Sequence, residues 1–143
     1  MSKFLDTSDQ VAAVLAALPE LDGVGIIVDR QKDIDTMVET AVSQSAGAAV
    51  VIFWAGGDNE DPPAAGPRLR CNYEITLYCR PVLMDGGTPA DSLAAAICSA
   101  LHHWTPSPAS VETYERMTVT RVAMVPDPEF LAYRVFTSVN VTI

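Results

Sequence analysis

Leu69-Arg70-Cys71-Asn72-Tyr73-Glu74-Ile75-Thr76-Leu77-Tyr78-Cys79-Arg80-Pro81 decides the fold of this chain. Cys71, Tyr73, Ile75, Leu77 and Cys79 alternate with Arg70, Asn72, Glu74, Thr76, Tyr78 and Arg80. Alternation with period two marks a strand with one face on a core and the other towards water or a partner. The strand is expected over residues 69–84, far beyond the usual length of about five or six residues. Pro81 cannot donate a ladder bond and marks an edge or a bulge. The outward row Arg68, Arg70, Glu74, Thr76, Tyr78 and Arg80 is the candidate interface, its opposite charges suited to setting register.

Upstream, Ala48 to Trp54 reads as a strand buried on both faces. Residues 55–68 then read AGGDNEDPPAAGPR, with three glycines, three prolines and the acids Asp58, Glu60 and Asp61. A structureless stretch this long is uncommon in a compact domain, and a mobile, functional loop is expected. Ile34, Met37, Val38, Ala41 and Val42 form the apolar stripe of a helix over 32–45, with Asp33, Asp35 and Glu39 mostly on its other side. Val24 to Val28 is a short strand. Before it, Val11, Val14, Leu15 and Leu18 predict a helix over 8–18, with Thr7 and Gln10 at capping-box spacing.

Downstream, Thr88-Pro89 opens a helix whose buried stripe is Leu93, Ile97, Leu101 and Trp104. Met117–Val125 and Leu131–Ile143 are strands, joined by Pro126-Asp127-Pro128-Glu129 as a hairpin. The order α-β-α-β-β-α-β-β predicts an α+β sandwich: a mostly antiparallel sheet with helices on one face. Residues 1–143 form a single domain, a typical size for one.

The chain carries eighteen acids and nine bases, a net charge of −9. Residues 1–66 hold eleven acids and three bases, so that half carries −8 and the rest −1. An acidic chain is a poor gripper of phosphate backbones, whose affinity comes from Lys and Arg. No apolar run approaches a membrane span of about 20 residues. Met1 to Asp6 lacks a signal-peptide core, so a cytoplasmic site of synthesis is expected. Cys71, Cys79 and Cys98 are an odd number in such a chain and read as free thiols.

No constellation rises to an active site, and no enzyme activity, metal or cofactor is expected. Adjacent His102 and His103 cannot face one metal from a helix. Gly56-Gly57 lacks the lysine and spacing of a phosphate loop. Cys98 and His102 are one helical turn apart and form the one Cys/His adjacency, the route an enzyme would take. Phe53, Tyr73 and Trp104 are expected in the core, with Tyr78 and Phe136 on interface faces.

This layout resembles the tail terminator, or tail completion, proteins of long-tailed bacteriophages and prophages. The resemblance rests on organisation: VGIIVDR after the first helix, the buried strand with its Gly/Pro/acid loop, LRCNYEITLYCRP, ADSLAAAICSALHHW and the final hairpin. It implies a structural virion protein, assembled in the bacterial host cytoplasm and resident in the tail or neck. Such proteins form rings, usually hexamers, that sit on the tail tube, end its polymerisation and present a surface to the head-tail connector. DNA would pass through without tight binding, with Asp33, Asp35 and Glu39 as candidate lumen residues. The alternatives are another phage neck or head-tail joining protein, or a small-molecule binding α+β module.

Overall fold

The computed structural model describes residues 3–30, 34–44, 47–59, 68–84, 89–106, 113–114 and 116–142. Its elements are α1 (Lys3–Ala16), β1 (Gly25–Val28), α2 (Ile34–Gln44), β2 (Ala48–Asn59), β3 (Arg68–Cys79), α3 (Ala90–Leu101), β4 (Thr113–Tyr114), β5 (Thr118–Val125) and β6 (Leu131–Thr142). The expected α+β class and order hold, with the two-residue β4 added. The sheet runs β1-β2-β3-β6-β4, and β5 also pairs with β6. β1 and β2 are parallel, and every other pairing is antiparallel.

β3 is the axis of the sheet. It pairs with β6 without a break from Arg68↔Thr142 to Cys79↔Leu131. Its inward row packs with Val50 and Ile52 of β2, Val135 and Val139 of β6, Val11 and Leu15 of α1, and Leu93, Ile97 and Leu101 of α3. α1 lies over β1 and β2, and α3 over β6 and β5. The strand is shorter than expected: after Cys79 the chain turns through Arg80 into a 3-10 turn at Pro81–Leu83. Pro81 therefore ends the strand. Gly47 allows that corner to close. Its φ is +82°, its carbonyl accepts from the Arg80 amide at 2.8 Å, and a Cβ there would lie 2.8 Å from Leu83 Cβ.

Three expectations need correction. The first is that all helices share one face. α2 instead packs on the opposite face, where Val38 and Val42 meet Ile27, Ala49 and Val51. Ala48, Val50 and Ile52 of β2 face α1 and α3, while Ala49 and Val51 face α2, so β2 is buried on both sides as its sequence demands.

The second is the loop over 55–68. Residues 55–59 continue β2 past a bulge between Trp54 and Gly57, where Ala55 and Gly56 oppose Asn72 alone. Gly56 has a φ of +98°, which glycine tolerates. Asp58 is consequently a ladder residue opposite Arg70 rather than a loop residue. Glu60, Asp61 and the rest of 60–67 lie outside the described residues, as does Asp33.

The third is the helix starts. α1 begins at Lys3, so Thr7 is a buried interior residue and not a cap, and Gln10 Nε2 donates to Asp6 Oδ2 at 3.1 Å. Tertiary contacts explain the extra turn: Phe4 stacks on Trp54 with ring centroids 4.5 Å apart, and its carbonyl accepts from Tyr73 Oη at 2.9 Å. At α3, Pro89 holds the N-cap position, and Thr88 lies outside the described residues.

Tyr73 joins these layers. Its ring is in the core and its hydroxyl ties α1, while its carbonyl accepts from Thr137 Oγ1 at 3.0 Å. Tyr73→Phe removes one hydrogen bond and should cost about 1 kcal/mol in urea unfolding. Tyr73→Ala leaves a ring-sized cavity and should cost about 3–5 kcal/mol. A loss below about 1 kcal/mol for the alanine variant would contradict this reading.

Candidate interaction face

The outward residues of β3 divide into two groups because α2 covers only part of their face. Near α2, Thr76 is buried, and its Oγ1 accepts from Arg134 Nε at 3.1 Å. Tyr78 is half-buried, with its ring edge-on to Phe130 at 5.6 Å. Arg80 Nη2 lies 2.8 Å from Glu39 Oε1 and 3.7 Å from Glu129 Oε2, with its guanidinium 4.8 Å above the Phe130 ring. These three candidate interface residues are thus engaged inside the chain. Further along, Arg70 is exposed, and Glu74 stands 3.7 Å from Arg134 Nη1. Arg68 pairs with Thr142, and its side chain is not among those described.

Beyond α2, the second face of β3, β6 and β5 is open among the described residues. It presents Arg70, Glu74, Arg134, Phe136 and Arg121, joined by Phe53 of β2. Phe53 is 41% exposed, so it is not a core residue: its side chain falls on the second face, just outside the cover of α2. Arg121 lies over the Phe136 ring at 5.4 Å. Phe136 is on this open face, as its strand phase suggested.

Two recesses flank α2 on this side. The larger, of about 460 Å³, is lined by Asp35, Val38, Glu39, Tyr78, Asp127, Glu129 and Phe130. Four carboxylates thus surround an aromatic floor, and the Arg80 guanidinium stands between two of them. The turn keeps its shape because Asp127 Oδ1 accepts from the Glu129 and Phe130 amides at 2.9 and 3.1 Å. The smaller groove, of about 250 Å³, runs between Ile34 and Phe53 over Thr76 and Arg134. Of the candidate lumen residues, Asp35 is on the rim of the larger recess, and Glu39 is committed to Arg80.

Sequence reasoning missed Arg134, Phe130 and the turn acids Asp127 and Glu129 as partners of the β3 row. The signal available was the phase of β6, which puts Arg134 across from Thr76 once register is known. Phe130 precedes β6 and gives no periodic signal.

Elsewhere, the groups weighed for chemistry have structural partners. His102 Nδ1 accepts from the Val119 amide at 3.1 Å, and His103 stacks on His102 at 4.0 Å. Burial pushes the Cys98 thiol above its ordinary value. Gly56 belongs to the β2 bulge, and Gly57 resumes the ladder opposite Cys71. Among the described residues, no group of three His, Cys, Asp or Glu is placed to hold a metal, and no helix is long and apolar enough to cross a membrane.

No family model matches the sequence, and no curated protein does. Twenty solved chains match in structure. One superposes with a TM-score of 0.61 over 97% of this chain and 92% of its own length, at 10% sequence identity. Its name says nothing of what it does, and the likeness shows the fold alone.

Cys71 and Cys79 are fully enclosed on the α1 and α3 side of β3, and burial raises both thiols from 9.0 to about 11. The neighbouring Trp54 side chain pulls Cys71 slightly the other way, although its indole nitrogen makes no hydrogen bond of normal geometry. In the unfolded chain these thiols ionise near 9.0, whereas in the folded chain they keep their protons to about 11. Unfolding therefore releases protons in that window, and stability should fall as pH rises from 9 to 11. The urea midpoint should drop over this range, and drop less in the Cys71→Ala/Cys79→Ala variant. Equal slopes for the two proteins would contradict the assignment.

Proposed function

We propose that this chain is a structural assembly protein of the tail terminator type. Several copies close a ring on the end of a phage tail tube, stop its growth and offer a surface to the head-tail connector. The observation that carries the reading is the open second face beyond α2. Three arginines, a glutamate and two phenylalanines stand on strands up to twelve residues long, with no described element of the chain covering them. Mixed charge around the exposed Phe53 ring and the half-buried Phe136 suits a protein that completes itself against partners. The element order is also that of the layout the sequence resembles. The net charge of −9 suits a passage that repels a duplex instead of holding it.

Two measurements test this. Light scattering and electron microscopy should find rings with the mass of about six chains of 15.3 kDa. Added to a polymerising cognate tail tube protein, the chain should shorten the tubes, with rings at their ends. A protein that leaves tube length unchanged and forms no ring at any concentration would overturn the proposal.

A further inference from the structure

The sheet has an open edge at each end. Among the described strands, β1 pairs only with β2, and β5 pairs only with β6. The start of β5 is tied to the turn after α3. The His103 amide donates to the Met117 carbonyl and the Met117 amide to the Trp104 carbonyl, both at 2.7 Å, and the Val119 amide donates to His102 Nδ1 at 3.1 Å. Past the bulge between Val119 and Arg121, the stretch Arg121–Val125 has β6 on one side and no described strand on the other. It carries no lysine or proline that would blunt such an edge. It also exposes Val122 and Met124, at 46% and 64%.

The two edges match each other. Followed from pair to pair across the sheet, Val28, Ile52, Ile75, Val135 and Val122 form one row, and Gly25, Ala49, Tyr78, Ala132 and Val125 form another. β1 thus spans the same rows as Val122–Val125, and the pairings make it run opposite to β5. The faces agree. Ile26 and Val28 pack against the core under α1 and α3, and Val122 and Met124 lie on that same side, beside Val135 and Tyr133. The charges agree as well. Asp29 stays beside β2, its amide donating to the Ile52 carbonyl at 2.9 Å, and it borders the second-face groove with Phe53. Phe53, Glu74, Phe136 and Arg121 form the row that Asp29 extends. A carboxylate at one edge and a guanidinium at the other therefore share a row and a face. Met37 and Glu39 point to opposite flanks of α2, as residues two apart on a helix do. Glu39 borders the acidic recess, so Met37, 41% exposed, is on the β1 side.

We propose that β5 of one copy pairs antiparallel with β1 of the next and continues the sheet from chain to chain. Val122 and Met124 then meet Val28 and Ile26, Arg121 stands beside Asp29, and Ala123 and Val125 lie under Met37. The occupant of each edge is a second copy, because sense, length, side-chain phase and charge of one edge complement those of the other on the same chain. The backbone edges supply ladder hydrogen bonds, and the side chains fix the register. A rotation about an axis along the strands keeps both sense and rows, so the contact repeats head to tail. Such contacts close into a ring when the rotation permits. The inference deepens the assembly reading by naming its subunit contact, and it rests on that reading only for closure into a ring.

Cysteine cross-linking tests it in a Cys98→Ser background, since Cys71 and Cys79 are fully buried. Val28→Cys and Val122→Cys are small changes, and each variant should keep the wild-type circular dichroism spectrum. With a short bismaleimide, neither variant alone should link. Their one-to-one mixture should give covalent dimers, and a chain carrying both cysteines should give a ladder of dimers, trimers and larger species. As a second probe, Met124→Lys alters an exposed side chain and should associate at least about tenfold more weakly than wild type by light scattering. Val122→Cys linking to itself would mean a two-fold pairing of β5 with β5 and would overturn the proposal. So would a mixture that gives no link up to about 1 mM protein, or Met124→Lys associating like wild type. The two readings fail separately. Rings and shortened tubes without the link between positions 28 and 122 would leave the tail reading standing and remove this contact. The link without any effect on tubes would do the reverse.

Discussion

Every layer of this molecule is positioned by the unbroken pairing of β3 with β6. Twelve consecutive residues in one register fix which side chains of two strands face α1 and α3 and which face the other way. A shift by one residue would turn Tyr73, Ile75 and Leu77 out of the core and bring Arg70 and Glu74 in, which no apolar interior tolerates. Tyr73 extends that constraint beyond the sheet by holding the first turn of α1 through the Phe4 carbonyl. Phe4 in turn stacks on Trp54, the last β2 residue before the bulge.

The second face inherits its asymmetry from this frame. β1 and β2 are parallel, and parallel neighbours need a crossover connection, supplied here by α2. The crossover covers β1, β2 and the margin of β3, and stops there. The remaining strands keep a polar and aromatic surface. The acids of α2 meet those of the β5–β6 turn across Tyr78 and Phe130. Arg80 holds that corner together through Glu39, Glu129 and the Phe130 ring.

Much of this was legible in the chain itself. Alternation in 69–79 and 131–139 gave strands and inward rows, because a half-buried strand must repeat every second residue. Helical stripes located α2 to within about two residues and the start of α3 likewise, but α3 ends at Leu101 and leaves Trp104, expected on its stripe, beyond the helix, because the chain turns at His102 and His103, where His103 has a positive φ. What the stripes could not give was the side of the sheet on which α2 lies: an amphipathic helix announces a buried face but not which face of the sheet receives it. The start of α1 was hidden because Phe4 is held by Trp54 and Tyr73, far away in sequence. The bulged extension of β2 through Gly56 and Gly57 was hidden too, since glycines beside acids resemble a loop until a partner strand fixes them. The acidic recess joins residues 35–39 to 127–130, a meeting that depends on register and crossover together.

The central claim is that the pairing of β3 with β6 in one register positions both faces of the sheet. Native-state hydrogen exchange reads this directly. The amides of β3 and β6 should exchange only through global unfolding and be the slowest in the chain, while those of β5, paired on one side among the described residues, should exchange faster. Amides of β3 that exchange as fast as those of β5 would contradict the account.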